Sequence, residues 1–332
     1  MPLTIETPTP FSLEQTVLLH GWVWLAPYAW DEARQALQRW EELPSGRVVR
    51  LTITQPKASR VAVAVEPPTP LTPEDRQAIV QRVRRALALD LDLSEFIAVA
   101  KREHPGVWRL LRAGGGRLLR GFTLYEDLVK TLCTTNAAWA YTEKMVASFC
   151  RLFGRPVPSG DGWTFPRAEA VQQSLAGTIA ESPARRLHGD VPSLAHPAAG
   201  VLGKGQALVR RREVPQGFGY RIKYLSGVTD RVVLDGIAPT LEHPNVVAGR
   251  KTEWLAELPG FGPYAVNHML VLLHHFDQLP VDREVLAYLG VAGKSAAVQQ
   301  RRVEAYRQRW GRWAFLGYKL ERQVAKKNWT GR

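Results

Sequence analysis

The chain has 332 residues, of which 45% are hydrophobic and 23% charged. This excludes a disordered protein and is typical of a globular one with one large or two ordinary domains. Its two cysteines, Cys133 and Cys150, exclude an iron–sulfur cluster held by four cysteines and a cysteine-rich zinc site. No apolar run is long enough to span a membrane and no signal-peptide pattern begins the chain, so we expect a cytoplasmic protein.

Positive charge is concentrated in the later part of the chain. The formal net charge is +13 and the sequence pI about 10.0. Residues 1–90 hold ten basic and ten acidic side chains, so residues 91–332 carry the whole surplus. This distribution predicts a polyanion as partner, either nucleic acid or an anionic membrane surface, with a scattered basic surface as the alternative.

The first 70 residues predict a small antiparallel sheet with a helix. Residues 47–54, "RVVRLTIT", and 59–66, "SRVAVAVE", alternate in polarity and are rich in β-branched side chains, which favours strands. Residues 16–25, "TVLLHGWVWL", are also strand-like. Between these segments lies "AWDEARQALQRW", 29–40, whose apolar residues recur at helical spacing, so we predict a helix there.

A boundary is predicted near residue 70. Thr72 can cap a helix that starts at Pro73, and acidic residues fill its first turn. The later signals are almost all helical, so we predict an α+β protein with a sheet domain at 1–70 and a helical domain at 71–332. Residues 188–216 are predicted to be an ordered insertion or a mobile loop.

The segment "LPGFGPYA", 258–265, predicts a tight turn between two helices. Gly260 and Gly262 are expected to adopt positive φ and to permit close backbone approach, and Pro263 suits the first turn of the next helix. Unpaired N–H groups at such a helix start attract anions such as a DNA phosphate. A plain helical hairpin is the alternative.

One acid follows the helix that begins at Pro263. Tyr264 and His268 lie on the same face of that helix, and the chain then passes through "LPVD" to Asp282. A hairpin that grips phosphate and an acid one helix-length away can act on the same nucleotide. The alternative for Asp282 is a surface acid or the N-cap of "REVLAYL".

These motifs resemble the helix–hairpin–helix DNA glycosylases of base excision repair, in the branches that act on 3-methyladenine and 8-oxoguanine. The pattern "LPGFGPYA…LPVD" is similar to the family's hairpin and catalytic aspartate. "YEDLVKTLCTTNAAWAYTEKMV", "GFGYRIKYL" and "YRQRWGRWAFLGY" are similar to further family segments. The resemblance covers most of the chain outside 188–216, and it implies the predicted fold and Asp282 as the catalytic carboxylate.

Two departures from the family pattern bear on the chemistry. Bifunctional members carry a Schiff-base lysine two residues after the second hairpin glycine, where this chain has Tyr264. The iron–sulfur branch needs four cysteines. The resemblance therefore implies a monofunctional enzyme that uses water as nucleophile and requires no cofactor. A Na⁺ or K⁺ ion at the hairpin backbone is the only ion expected, with no metal bound by side chains.

The resemblance also assigns further residues. Asn136 takes the place of the residue that fills the gap left by the extruded base, although an ordinary helix-end asparagine is an equal alternative. Tyr264, Trp139 and His268 are predicted to form the base pocket, with aromatic core packing as the alternative. Leu258, Gly260 and Gly262 at the hairpin, together with Arg221, are predicted to contact DNA, and a solvated charge is the alternative for the arginine.

The resulting prediction is a monomeric, monofunctional glycosylase that removes a damaged purine from double-stranded DNA. An alkylated purine is favoured because it needs only aromatic stacking and an acid to depart. The alternatives are 8-oxoguanine excision and a noncatalytic protein that binds lesions in DNA. No membrane partner is expected, and in a bacterium the protein would lie with the nucleoid.

Overall fold

The N-terminal part of the computed structural model is a five-stranded antiparallel sheet; the structure describes residues 2–68, 70–180 and 218–330. The strands follow the order β1-β5-β4-β3-β2. They are β1 Leu3–Glu6, β2 Tyr28–Asp31, β3 Ala36–Glu42, β4 Val48–Lys57 and β5 Arg60–Glu66. Alternate side chains of β4 and β5 face the core, where Leu51 is opposite Val65 and Ile53 opposite Val63. The strands predicted at 47–54 and 59–66 are confirmed.

The helix predicted at 29–40 is wrong, because this segment is the β2–β3 hairpin. Trp30 pairs directly with Leu37 across it, and Gln35 takes a positive φ of 48° in the turn. The inward positions of β3 include Arg39 and Glu41, which are buried and joined by a salt bridge. Because charged residues occupy two of the three inward positions Leu37, Arg39 and Glu41, the two-residue hydrophobic alternation of this strand is hidden in the sequence.

The strand predicted at 16–25 is also wrong. This segment forms helix α1, Leu13–Leu19, followed by a 3₁₀-helix at Gly21–Trp24. Ser12 caps α1 by accepting a hydrogen bond from the backbone N–H of Gln15 at 3.2 Å. The helix packs Leu13 and Val17 into the core, so the apolar residues of this segment belong to the buried face of a helix and not to a strand.

A buried ionic network joins the sheet to the helices. Arg39 donates to Glu41 at 2.6 Å and to Glu126, in the helix Leu124–Thr134, at 3.1 Å, and Lys130 donates to Glu126 at 2.7 Å. The guanidinium of Arg39 also lies 3.7 Å from the ring centroid of Phe122. Removing one partner from such a network would leave a buried charge uncompensated, at a cost of about 3–5 kcal/mol.

The rest of the described chain is helical. Thr72 caps the first of these helices by accepting from the N–H of Asp75 at 3.1 Å, as predicted. The helices are α2 Pro73–Ala86, α3 Ser94–Glu103, α4 Pro105–Arg112, α5 Leu124–Thr134, α6 Trp139–Phe153, α7 Ala168–Ala180, α8 Arg221–Val233, α9 Ile237–Glu242, α10 Ala248–Ala256, α11 Pro263–Leu272, α12 Arg283–Tyr288, α13 Ala296–Trp310 and α14 Ala314–Thr330. The proposed insertion at 188–216 lies outside the described residues.

Two hydrophobic cores organise these elements. The first core joins the sheet to α2, α5, α6, α8 and α11, and the second joins α3, α4, α12, α13 and α14. Helix α11 belongs to both, since Met269 is buried in the first core and Val271 in the second. Helix α11 therefore lies where the two cores meet. Since the last strand ends at Glu66 and α2 begins at Pro73, the predicted boundary near residue 70 falls between elements.

Candidate functional site

The turn between α10 and α11 is the predicted helical hairpin. Gly260 has φ +81°, and a Cβ there would lie 2.6 Å from Cδ2 of Tyr224 and 2.8 Å from Cδ1 of Leu132. Glycine is therefore required at this position both for the backbone conformation and for packing. Leu258 is buried in the first core, and its carbonyl accepts from the N–H of Phe261 at 3.1 Å, so only its backbone could contact DNA.

Gly262 differs from the prediction. Its φ is −83° and its ψ −179°, an extended conformation that any residue adopts. The expected positive φ is wrong at this position, because Gly262 serves as the N-cap of α11 rather than as the turn residue. A Cβ at Gly262 would meet nothing within 4 Å. The open space before the helix start is what close approach of an anion to the backbone requires.

Asp282 follows α11 and begins α12. It is half-buried, and its Oδ1 accepts from the backbone N–H of Val285 at 2.8 Å, which confirms the N-cap alternative. Oδ2 has no hydrogen-bond partner among the described residues. The carboxylate lies close enough to Tyr264 and Tyr318 to raise the pKa of both phenols, after the larger effect of burial. One oxygen is thus fixed by the helix while the other is available to chemistry.

Tyr264 lies in the first turn of α11, near Asp282. Burial and the charge of Asp282 raise the pKa of its phenol, while a hydrogen bond with Thr134 on α5 acts in the opposite direction. Its ring lies 5.9 Å from the ring of His268, tilted by 34°. Tyr264 and Asp282 therefore come together as the sequence predicted, with a phenol where an amine would be needed for Schiff-base chemistry.

His268 is buried and paired with a second histidine, His20. The two Nε2 atoms are 3.2 Å apart, His20 Nδ1 is 3.0 Å from the carbonyl oxygen of Leu119, and Thr131 Oγ1 is 3.5 Å from His268 Nδ1. Because a carbonyl only accepts, His20 carries its proton on Nδ1 and accepts at Nε2. His268 must then donate from Nε2. The contacts assign one neutral tautomer to each ring.

The environment of the pair agrees with this assignment. Burial lowers the pKa of His268 to about 4 and, together with His268, holds the pKa of His20 well below its usual range. Both rings are therefore neutral at pH 7, and each Nε2 atom is engaged by the other ring. His268, predicted to line the base pocket, is instead 6% exposed, and its only N–H is taken by His20. The ring of His268 packs next to the ring of Tyr264.

Trp139 lies against the segment that follows His20. Its side chain is 41% exposed, which argues against the alternative of core packing. A Cβ at Gly21 would lie 2.7 Å from the ring carbon Cη2 of Trp139, so the indole rests against the bare backbone that follows His20. Any larger residue at position 21 would displace the Trp139 ring.

Asn136 lies at the turn between α5 and α6. It is exposed and has φ +47°, the left-handed conformation that asparagine tolerates better than most residues. Arg221 is buried beneath this turn, where it donates to the carbonyls of Thr135 and Asn136. Its guanidinium also lies 4.8 Å from the ring centroid of Tyr220. This placement favours a role for Arg221 in positioning the turn over the predicted phosphate contact.

The described residues contain neither a side-chain metal cluster nor a membrane-spanning helix. Within them, no cluster of three or more His, Cys, Asp or Glu side chains could hold a metal. No helix in those ranges is long and apolar enough to cross a membrane. The carbonyl of Leu258 keeps a second lone pair beside its bond to Phe261, so a monovalent cation at the hairpin stays a prediction.

Comparison with solved structures connects this arrangement to known proteins. The chain is similar to 3-methyladenine DNA glycosylase from Archaeoglobus fulgidus, with 16% identity, 96% coverage of both chains and a TM-score of 0.64. It is also similar to the 8-oxoguanine glycosylase/lyase from Clostridium acetobutylicum, with 14% identity, 96% coverage of this chain, 97% of that chain and a TM-score of 0.61. The chain has the fold of the helix–hairpin–helix DNA glycosylases.

The predicted α+β fold class is thereby confirmed. The Clostridium acetobutylicum enzyme in complex with double-stranded DNA containing cytosine opposite 8-oxoguanine gives 15% identity, 99% and 98% coverage of the two chains and a TM-score of 0.62. No protein-family model matches the chain, and no curated protein matches it either. At these identities the likeness is one of fold, so activity is argued from the site.

Within this fold the structure adds residues that the sequence had not indicated. His20, Gly21 and Thr134 come from segments far from the hairpin, yet they touch His268, Trp139 and Tyr264. The string "HGW" in "TVLLHGWVWL" carries no chemical motif of its own. The only signal in the sequence was a glycine, Gly21, between two aromatic residues.

Proposed function

We propose that the protein is a DNA glycosylase that hydrolyses the N-glycosidic bond of a damaged purine in double-stranded DNA, with Asp282 as the catalytic carboxylate. The observation that carries this proposal is the juxtaposition of Asp282 and Tyr264 next to an open helix start at Gly262. The glycosylase fold and the surplus of positive charge support DNA as the partner. A noncatalytic DNA-binding protein would have little use for a carboxylate beside its phosphate site.

In this mechanism Asp282 acts on the sugar. As the glycosidic bond breaks, positive charge develops on the deoxyribose, and a carboxylate held in place by its helix stabilises that charge. Oδ1 is oriented by Val285 N–H, which leaves Oδ2 to orient or deprotonate the attacking water. A positioned base of this kind contributes about 10²–10⁴ in rate.

Reaching the bond requires the nucleotide to leave the stack, at a cost of a few kcal/mol. Asn136 is exposed at a turn that Arg221 holds from below, which suits insertion into the vacated space. The extruded base would then enter between Trp139 and Tyr264. Aromatic faces stabilise any base by stacking without reading its sequence.

We favour an alkylated, electron-deficient purine as the base. The paired histidines are neutral, so they add no positive charge that would repel a cationic base. An aromatic pocket beside an anionic carboxylate attracts such a base. The second candidate is 8-oxoguanine, which the similarity to an 8-oxoguanine glycosylase/lyase supports.

The deciding experiment is a panel of duplexes that each carry one lesion, with base release scored after incubation with purified protein. Release of 3-methyladenine or 7-methylguanine is expected, and release of 8-oxoguanine alone would favour the second candidate. Binding without release across the whole panel would support the noncatalytic alternative and refute the proposed activity.

The absence of a Schiff-base step needs a separate test. With Tyr264 in the position of the lysine, borohydride should trap no protein–DNA adduct, and the abasic product should remain uncut until alkali is added. Efficient trapping would show that another amine attacks the sugar and that the enzyme is bifunctional. Tyr264→Lys provides the positive control, because it restores an amine next to Asp282.

A further inference from the structure

The His20–His268 pair connects the two groups of residues proposed to enclose the base, Gly21 with Trp139 on one side and Tyr264 with Asp282 on the other. His20 immediately precedes Gly21, against which Trp139 rests, and His268 lies one helical turn beyond Tyr264. The hydrogen bond of 3.2 Å between their Nε2 atoms joins segments that are 248 residues apart in sequence. We call residues 20–24 the Gly21 segment. Among the described residues, this hydrogen bond is the direct polar contact between the Gly21 segment and α11.

The pair is also held from behind. The ring of Trp22 lies 4.4 Å from His20 and 5.0 Å from His268. The indole N–H of Trp22 donates to Asp127 Oδ1 at 2.7 Å, and Asp127 accepts from Gly121 N–H at 2.7 Å. Trp22 is 1% exposed, so neither imidazole can move back without displacing a buried indole.

The direction of every hydrogen bond follows from the fixed acceptor at one end. Leu119 C=O requires His20 Nδ1–H, which makes His20 Nε2 the acceptor of His268 Nε2–H. Such an arrangement has one donor and one acceptor at the central contact and tolerates no second proton there. It also leaves no ring N–H for a base, so neither histidine reads the substrate directly.

We infer that His20 and His268 form a positioning clamp, in which one neutral imidazole donates to the other and fixes the separation between the Gly21–Trp139 wall and the Tyr264–Asp282 wall. The inference rests on the proposed function, since it concerns a base held between those walls. Neither histidine touches the reacting atoms. Because misplacement of reacting groups by about 1 Å can cost about 10²-fold in rate, the clamp should affect excision more than DNA binding.

The test compares two substitutions at one position. His268→Leu removes the donor, whereas His268→Gln places an amide N–H where Nε2–H was. Tyr125→Phe is the matched control, because it also deletes a buried hydrogen bond in the first core, the 2.8 Å contact with Thr229, away from the pocket. Single-turnover excision is measured with saturating protein on a lesion that the wild type removes, alongside affinity for undamaged DNA and thermal melting.

His268→Leu is expected to slow excision by about 10- to 100-fold with affinity for undamaged DNA unchanged. His268→Gln should recover at least roughly a third of the wild-type rate, and Tyr125→Phe should keep the rate even if its melting temperature falls. A folded His268→Leu variant with a near wild-type rate would overturn the clamp. So would a His268→Gln variant as slow as the leucine variant.

A readout without catalysis separates failure of the clamp from failure of the proposed function. Long-range ¹H–¹⁵N spectra at neutral pH should show His20 as the Nδ1–H tautomer and His268 as the Nε2–H tautomer. The Trp139 indole resonance, assigned with Trp139→Phe, should shift in His268→Leu and stay in Tyr125→Phe. These results would support the clamp even if no lesion were excised. Any other tautomer pair, or an unmoved Trp139 resonance, would overturn it while leaving the glycosylase proposal standing.

Discussion

The two sides of the candidate site are held in different ways. On the side of the second core, Asp282 is fixed by a hydrogen bond to Val285 three residues later. On the side of the first core, Tyr264 and Trp139 depend on residues from α5, the Gly21 segment and α11, which meet only in the folded chain. The carboxylate is positioned locally and the pocket walls are positioned by tertiary contacts, so substitutions on the two sides should fail differently.

Asp282→Asn should produce the largest effect, confined to activity. Asparagine caps helices as well as aspartate does, so α12 and the fold should be preserved while excision falls by about 10²–10⁴. DNA affinity should be equal or tighter, because a negative charge near phosphate is lost. Single-turnover excision, melting and DNA titration together measure this. An Asp282→Asn variant with the wild-type rate would show that the carboxylate is only a helix cap.

Acid should weaken the first-core side through its buried histidines. The pKa of His268 is lowered to about 4 by burial, with Lys319 adding to this effect and Asp127 opposing it. A histidine with a depressed folded-state pKa binds more protons when unfolded. Its contribution to stability is therefore complete above about pH 6.5 and declines as the pH falls toward about 4.

The size of this loss follows from the shift, which corresponds to about 3 kcal/mol for His268. Urea unfolding at a series of pH values for wild type and His268→Gln measures it, since the glutamine variant should show a shallower decline in this window. Buried carboxylates such as Asp127, whose pKa is lowered by Arg85 and Arg120 against the effect of burial, contribute at more acidic pH. Equal slopes in both proteins would contradict the neutral pairing of His268.

Gly260→Ala should destabilise the hairpin. The substitution strains a φ of +81° and places a methyl group 2.6 Å from the Tyr224 ring. We expect the free energy of unfolding to fall by about 2 kcal/mol, measured by urea denaturation. If the variant is as stable as the wild type, the turn does not have the described conformation.

Gly262→Ala should have the smallest effect, and on binding alone. Its φ of −83° suits alanine and its Cβ would meet nothing within 4 Å, so stability should change by less than about 0.5 kcal/mol. Loss of close approach to one phosphate should weaken binding to damaged and undamaged DNA alike by roughly fivefold. Unchanged affinity in both titrations would mean that DNA does not approach this backbone.

Local patterns in the sequence were sufficient for part of this protein. They predicted two strands, the Thr72 cap, the hairpin and the acid that follows it, because each depends on residues within a few positions of one another. The tertiary structure determined the conformation of segments whose stabilising partners lie far away in the sequence. It made 29–40 a hairpin because its inward charges, Arg39 among them, are neutralised by Glu126 far along the chain.

The same reason separates the two sides of the site. Asp282 could be selected from sequence because its motif and its cap are contiguous. The partners of His268 and Trp139 could not, since His20 and Gly21 reach them only after the sheet and the helices have packed. Hydrogen bonds between segments 248 residues apart leave no periodicity in the sequence. They form because packing buries both rings side by side, where polar groups must find a partner.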